Sequence, residues 1–210
     1  ITKCSYIVSN VHNLADTVRE AFAVARSGRP GPVLIDIQKN ATADECEYSP
    51  VTPEEFFSGK NTRMERLRAT HHPAIGCPEI DMKAIEQLAE MIERSEKPLM
   101  ICGGGVVRSG ASGEFRTLAE KIDSPIAITV MGGGAVQGRH PLATGMIGMH
   151  GSQASNMACD ACDLLIAVGC RFSDRVTLNP AGFAKNAKIV HIDIDPSEID
   201  RNIKTDLHII

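Results

Sequence analysis

Four features are missing from this sequence, and each absence closes off a class of function. Lysine and arginine are in no excess: 22 of them stand against 26 aspartates and glutamates, a formal net charge of −4, so nothing suits the chain to a nucleic-acid backbone. No signal-like or membrane-length apolar run occurs, which leaves no spanning helix and fits a cytoplasmic, membrane-free protein. The seven cysteines are an odd and scattered set, several of them inside apolar strand or helix patterns, which reads as reduced thiols rather than a secreted disulfide framework. Finally, no dinucleotide fingerprint is complete. A G-x-G-x-x-G beginning at Gly103 would need glycine where Arg108 stands, and one beginning at Gly132 would need it where Gln137 stands. The acidic residue expected about twenty residues further on, at a second strand's end, is absent as well.

What is present is a set of apolar strands that each run into glycine or charge. Leu99 to Cys102 leads into Gly103-Gly104-Gly105, and Ile126 to Val130 into Met131-Gly132-Gly133-Gly134. Asp163 to Gly169 leads to Cys170-Arg171, and Ile189 to Ile192 into Asp193-Ile194-Asp195-Pro196. Ligands of an open parallel α/β sheet bind outside the carboxyl ends of its strands. Glycines, one arginine and paired aspartates are therefore expected along one rim.

The order of elements supports that architecture. Leu14, Val18, Ala21, Phe22 and Ala25 share a face at helical spacing, with Asn13 placed to cap and Asp16 in the first turn. Gly28-Arg29-Pro30-Gly31-Pro32 breaks that helix before a buried-type strand, Val33 to Ile37. Residues 1–40 then form an isolated helix–strand pair, read as the tail of a preceding α/β domain in a longer protein. Residues 41–80 are rich in Pro, Ser, Thr and Glu without a sustained period and read as a linker. From Asp81 to residue 210 helices (82–94, 114–122, 152–161) alternate with strands (99–102, 126–130, 164–169, 189–194), and Leu207 to Ile210 reads as one more strand. The fold class expected is α/β: an open, mainly parallel, Rossmann-like sheet with helices on both faces.

Each candidate residue carries two readings. The triple glycine at 103–105 either lets a phosphate approach the backbone or makes a tight turn. Arg171, beside Gly169 and expected to face the 103–105 turn, either grips a phosphate or flat ring or forms a surface ion pair with Asp174 or Glu198. Asp193 and Asp195 alternate along a strand and suit ribose hydroxyls, while Asp195 equally suits a helix start. His150 is a ligand or a loop hydrogen-bonder. Cys159-x-x-Cys162 closes a helix instead of opening one and has no second pair, so core packing is expected of it, as of Cys102 and Cys170. His71-His72 has no partner ligands, and no metal site is expected.

Longer motifs carry a resemblance. Gly28-Arg29-Pro30-Gly31-Pro32-Val33-Leu34-Ile35-Asp36-Ile37, Gly145-Met146-Ile147-Gly148-Met149-His150-Gly151, Ala167-Val168-Gly169-Cys170-Arg171-Phe172-Ser173-Asp174-Arg175-Val176 and His191-Ile192-Asp193-Ile194-Asp195-Pro196 occur in this order. Together they closely resemble the acetolactate synthase (acetohydroxyacid synthase) catalytic subunits, a thiamine-diphosphate family. Departures fall at Gln38 and Asn40, where Pro and Asp are common, at Ser173, where Asp is common, and at Gly133-Gly134-Ala135-Val136, where Leu-Gly-Ala-Phe is common; they bear on fine specificity and inhibitor response.

The resemblance implies the end of the thiamine-pyrimidine domain (1–40), a linker (41–80) and the central FAD-binding domain (81–210). The FAD contacts it implies are Arg29, Gly103, Gly104, Gly105, Thr129, Val130, Met131, Ile147, Gly148, Met149, His150, Gly169, Cys170, Arg171, Arg175, Val176, Asp193 and Ile194. The whole enzyme is expected to use thiamine diphosphate and Mg²⁺ to join pyruvate to a second 2-keto acid, pyruvate or 2-ketobutyrate, with loss of CO₂, in branched-chain amino acid biosynthesis. FAD is not reduced in that net reaction. A homo-oligomer, dimer or tetramer, with a small regulatory subunit is implied. The activating glutamate and the metal–diphosphate segment match nothing here, so no catalytic residue is assigned and these 210 residues alone are expected to be inactive. The competing readings are a sister flavoenzyme of the pyruvate oxidase type and a scaffold domain that has lost its nucleotide, which Arg171 and the glycine loops argue against. An NAD-dependent deacylase would need a zinc-binding cysteine set that is not present.

Overall fold

The computed structural model describes residues 1–52 and 80–210, which belong to two compact units, Ile1–Pro78 and Glu79–Ile210. The expected linker lies largely outside the described residues, as does His71-His72.

In the first unit β1 (Cys4–Val8) pairs in parallel with β2 (Val33–Ile37), joined through α1 (Leu14–Arg26). The isolated helix–strand pair expected from the sequence is thus a β-α-β unit. Cys-Ser-Tyr-Ile-Val was missed because its alternation is weak beside the continuous apolar run of Val33 to Ile37. The helix also turns differently from expectation. Thr17, Glu20, Ala21 and Val24 are buried, while Phe22 is 66% exposed. Asn13 makes no capping bond; the Asn10 side chain instead accepts from the His12 N–H one turn earlier. A short helix, α2 (Lys39–Ala43), crosses the expected boundary at residue 40.

The second unit runs α3 (Met82–Arg94), β3 (Pro98–Cys102), α4 (Gly104–Arg108), α5 (Ser112–Lys121), β4 (Ile126–Ile128), β5 (Ala143–Met146), α6 (Gln153–Ala161), β6 (Leu164–Val168), α7 (Asp174–Thr177), β7 (Lys188–Ile192) and β8 (Leu207–Ile209). Its six described strands are ordered β5-β4-β3-β6-β7-β8, and every neighbouring pair is parallel. The chain builds outward from β3 through β4 to β5, then returns to the other side of β3 for β6. The order therefore reverses between β3 and β6, the place where such sheets open a crevice at their carboxyl edge.

Period-two alternation explains why both faces are covered. Met100, Cys102, Leu164 and Ile166 face one buried cluster with Leu88 of α3 and Phe115 and Ala119 of α5. Leu99, Ile101, Leu165 and Ala167 face the opposite cluster with Cys159 of α6 and Phe172. Full burial of each such aliphatic chain is worth about 1.5–3 kcal/mol. Helix α3 is started by Asp81, whose carboxylate accepts from the N–H groups of Lys83 and Ala84.

Three element limits differ from expectation. The strand at 126–130 stops at Ile128, because Thr129 caps a 3₁₀ turn over Val130–Gly132; its hydroxyl accepts from the Gly132 N–H. The strand at 189–194 stops at Ile192 because Asp193 turns back on its own chain. Strand β5 is not among the expected strands, because Ala-Thr-Gly-Met, interrupted by Gly145, shows little pattern. Among the described residues no helix is long and apolar enough to cross a membrane.

Candidate functional site

The crevice between β3 and β6 is closed by glycine meeting glycine. A Cβ on Gly103 would sit 2.0 Å from the Gly169 carbonyl oxygen, and one on Gly105 would sit 2.6 Å from the Gly169 Cα. Gly169 itself has φ +59°, a left-handed conformation open to glycine at little cost. The Gly103 N–H donates to the Val168 carbonyl at 2.8 Å and the Gly105 N–H to the Gly169 carbonyl at 3.1 Å. At these positions the missing side chains make room for protein backbone, with Gly103 just before α4 and Gly104 and Gly105 opening it. Gly104 is the exception, since its Cβ would meet the Met131 side chain at 2.9 Å.

On the β4–β5 side of this seam the rim is apolar and open. Val130 is 75% exposed and Met131 62%, both just past β4, and Met149 past β5 is 55% exposed. Exposed apolar side chains at the carboxyl ends of strands are groups that a flat ligand would cover. The supporting loop is tightly built. Ile147 is buried, and its N–H donates to the Ile128 carbonyl at 2.9 Å. Gly148 has φ +99°, and a Cβ there would lie 2.2 Å from the Arg175 carbonyl oxygen. The Met149 N–H donates to that same carbonyl at 2.9 Å. Two separate candidate segments, 147–150 and 175–176, are thereby brought together; His150 projects as an exposed side chain beside them.

On the β6–β7 side the rim is charged. Arg171, Ser173, Asp174, Glu198, Arg201 and Asn202 line a cleft of about 330 Å³. Arg171 therefore lies in a cleft with the loop after β7, and Gly169 is the residue that meets the 103–105 turn. The expected alternative for Arg171 does not hold either. Glu198 pairs with Arg201 at 3.4 Å and Asp174 with Arg175 at 4.0 Å, and no described carboxylate lies within ion-pairing distance of the Arg171 guanidinium. Its main chain is fixed all the same, because the Asn202 side-chain amide donates to the Arg171 carbonyl at 3.2 Å.

Behind Arg171 lies a support that sequence reasoning missed. Phe172 is buried at φ +48°, its ring edge-on to Phe183 and to His191 at centroid distances of 5.8 Å and 4.8 Å. His191 is wholly buried, with Nε2 at 2.8 Å from the Cys170 carbonyl. A carbonyl can only accept, so Nε2 carries the proton, and Nδ1 is buried with no hydrogen-bond partner among the described residues. Burial holds the imidazole pKa below its ordinary value, more than the Asp193 carboxylate 3.8 Å away raises it. The signal was available: a histidine inside an otherwise apolar strand, and an aromatic directly after the arginine.

The two aspartates separate. Asp195 starts the 3₁₀ turn at Pro196–Glu198, accepting from the Ser197 N–H and hydroxyl. Asp193 Oδ1 accepts from the Asp195 N–H at 3.0 Å, and its side chain is 10% exposed. Ile194 between them is 49% exposed at the rim. Arg29 belongs to the first unit, in the turn before β2, where its carbonyl accepts from the Lys3 ammonium at 3.1 Å.

Four of the cysteines behave as core. Cys102, Cys159, Cys162 and Cys170 are buried free thiols; burial pushes the Cys102, Cys159 and Cys170 pKa values up to about 11 and that of Cys162 to about 12. The Cys162 thiol donates to the Cys159 carbonyl at 3.2 Å. No cluster of potential metal ligands occurs among the described residues.

Comparison with known proteins follows the same outline. The sequence profile described as "Thiamine pyrophosphate enzyme, central domain" matches residues 85–210. The whole chain aligns at 42% identity with 34% of a protein named a probable acetolactate synthase large subunit from Methanocaldococcus jannaschii. It aligns equally completely, at 40% identity, with 32% of an acetolactate synthase large subunit from Parasynechococcus marenigrum, and at 41% with 34% of an acetolactate synthase from Arthrospira platensis. The chain thus spans about a third of the length of these relatives.

Proposed function

Because this chain belongs to the thiamine pyrophosphate enzyme central-domain family, we propose that its second unit is the FAD-binding central part of an acetolactate synthase large subunit. The full-length protein would join pyruvate to pyruvate or 2-ketobutyrate with loss of CO₂. Thiamine diphosphate and Mg²⁺ belong to this proposal, but none of the residues described here is assigned to them.

The observation that carries the FAD reading is the division of the carboxyl rim. FAD joins a broad apolar ring system to a negatively charged diphosphate and a polar nucleoside. The rim offers exposed Val130, Met131 and Met149 on one side of the β3–β6 seam and Arg171 in a polar cleft on the other. A guanidinium without a protein carboxylate can give its planar donors to phosphate. Met131 and Met149 can cover a ring face through flexible, polarisable side chains. Gly104, partly open beside Met131, allows close approach where the two sides meet. When bound, FAD supplies a rigid filler for this edge, with no net electron transfer in the carboligation. The chain's own contribution is to hold and orient it and to keep water from the apolar side.

The test uses the full-length protein. Purified material should carry FAD, and with pyruvate, thiamine diphosphate and Mg²⁺ it should form acetolactate without accumulating hydrogen peroxide. Peroxide formation in place of acetolactate would move the protein to the pyruvate oxidase type. A protein that binds no flavin would remove the reading.

A further inference from the structure

Resting on the FAD reading above, we propose that Asn156 is the positioning residue that couples the apolar and charged sides of the rim. Asn156 lies on α6. Its carboxamide is doubly engaged with one residue: the Gly148 N–H donates to Asn156 Oδ1 at 3.0 Å, and Asn156 Nδ2 donates to the Gly148 carbonyl at 3.1 Å. Only a primary amide offers an acceptor and a donor side by side to satisfy both peptide groups at once.

Gly148 is the point at which the clamp matters. Its φ of +99° and the absence of a Cβ allow its backbone to lie directly on Arg175 and Val176. The next N–H, that of Met149, bonds the Arg175 carbonyl. Helix α7 is one turn long and begins three residues after Arg171. Fixing Gly148 therefore fixes Met149 on the apolar side and, through α7, the 171–175 segment that carries Arg171. The neighbouring hydroxyls anchor α6 to β5 from below: Ser152 Oγ donates to the Thr144 carbonyl at 2.6 Å, and Ser155 Oγ donates to the Gly145 carbonyl at 3.0 Å. These hold the helix whether or not residue 156 is asparagine, so the clamp can be removed while its platform stays.

Three variants of the full-length protein test this. Asn156→Ala removes both bonds, Asn156→Asp keeps the acceptor but sets a carboxylate against the Gly148 carbonyl, and Asn156→Gln keeps the amide on a longer stem. Amide hydrogen exchange should quicken at least tenfold at residues 147–149 and also at 175–178 in the alanine and aspartate variants, with little change in β3, β4 and β6. FAD affinity should fall by roughly fivefold or more while the melting temperature without FAD moves by only a few degrees. Combining Asn156→Ala with Arg171→Ala should cost less than the product of the two single losses, because the clamp acts partly through Arg171. Faster exchange at 147–149 alone, or single losses that simply multiply, would overturn the coupling. A melting temperature that collapses with FAD affinity unchanged would make Asn156 a fold residue only. Should wild type bind no FAD while exchange still quickens at both segments, the clamp stands and the FAD reading falls.

Discussion

The carboxyl edge and the amino edge of the six-stranded sheet are finished in opposite ways. At the amino edge, charges are consumed within the protein. The Asp163 carboxylate, at the start of β6, accepts from the Ser95 hydroxyl and from the N–H groups of Glu96 and Lys97, which lead into β3. Asp206 similarly accepts from the Lys188 ammonium at 2.8 Å and from the Ile189 N–H at 2.9 Å. At the carboxyl edge no described carboxylate pairs with Arg171, and Val130, Met131 and Met149 are exposed. One edge is closed by its own residues; at the other, among the described residues, these groups stay exposed. That asymmetry supports the proposal of a site at the carboxyl edge.

The contrast can be broken hardest at the seam that divides the carboxyl edge. Gly169→Ala places a Cβ 2.4 Å from the Gly105 Cα at a residue with φ +59°. It should cost about 3 kcal/mol, the upper end for an overpacked core, measured by urea unfolding. Gly113→Ala, where nothing lies within 4 Å inside α5, should instead gain up to about 1 kcal/mol. Equal effects would show that the glycine contacts do not shape the crevice.

On the apolar side, a Met131→Ser, Met149→Ser double variant should weaken riboflavin binding about fivefold, close to 1 kcal/mol by the area it would leave uncovered. Binding of ADP, which has no isoalloxazine, should not change. Isothermal titration with each ligand checks both halves of that statement.

The amino edge predicts a pH effect of its own. Burial would raise the Asp163 pKa and is the largest single influence, but the bonds from Ser95, Glu96 and Lys97 together hold it below the ordinary value. Asp206 is lowered in the same manner against its own burial, by Lys188 and the Ile189 N–H. A carboxylate with a depressed pKa contributes stability above its unfolded pKa, near 3.9, and loses it as pH falls through the folded value. Denaturant midpoints should therefore drop below about pH 4, and Asp163→Asn should flatten that drop while leaving flavin affinity untouched. An unchanged acid limb would remove Asp163 from the account.

The smallest effect is expected at the thiols. With pKa values raised to about 11 and about 12, Cys159 and Cys162 should resist iodoacetamide at pH 8 in the folded protein, and purified protein should contain no stoichiometric zinc. Rapid native-state alkylation at both would contradict their burial.

How much of this was legible in the sequence depends on range. The strands from β3 to β8 announced themselves, apart from β5, because apolar runs such as Leu164 to Val168 are buried on both faces and read continuously. Strand β5 was hidden because Ala-Thr-Gly-Met has little side chain to pattern, and its pairing depends on β4 being already in place. Phe22 was misassigned because periodicity gives a helix its faces, whereas which face is buried depends on what lies against it. At the site, chain position located Arg171, but its neighbours Arg201 and Asn202 arrive from a loop some thirty residues away. Asp195 showed the reverse limit: a local rule, the helix-start aspartate before proline, was enough to place it at the start of the 3₁₀ turn. Asn156 was invisible because a carboxamide on a helix has no signature until the loop it holds is folded over it.

The most direct test of the two-sided rim is a titration of full-length wild type, Arg171→Ala and Arg171→Lys with FAD and, separately, with riboflavin. Arg171→Ala should weaken FAD by at least roughly tenfold, about 1.4 kcal/mol, with a smaller FAD-linked rise in melting temperature. Riboflavin, which lacks the diphosphate, should bind all three alike. Arg171→Lys should recover only part of the FAD loss, since lysine keeps the charge but not the planar fork. FAD binding to Arg171→Ala as tight as to wild type, or a parallel loss of riboflavin, would contradict the division of the rim into an apolar side and an anion-holding side.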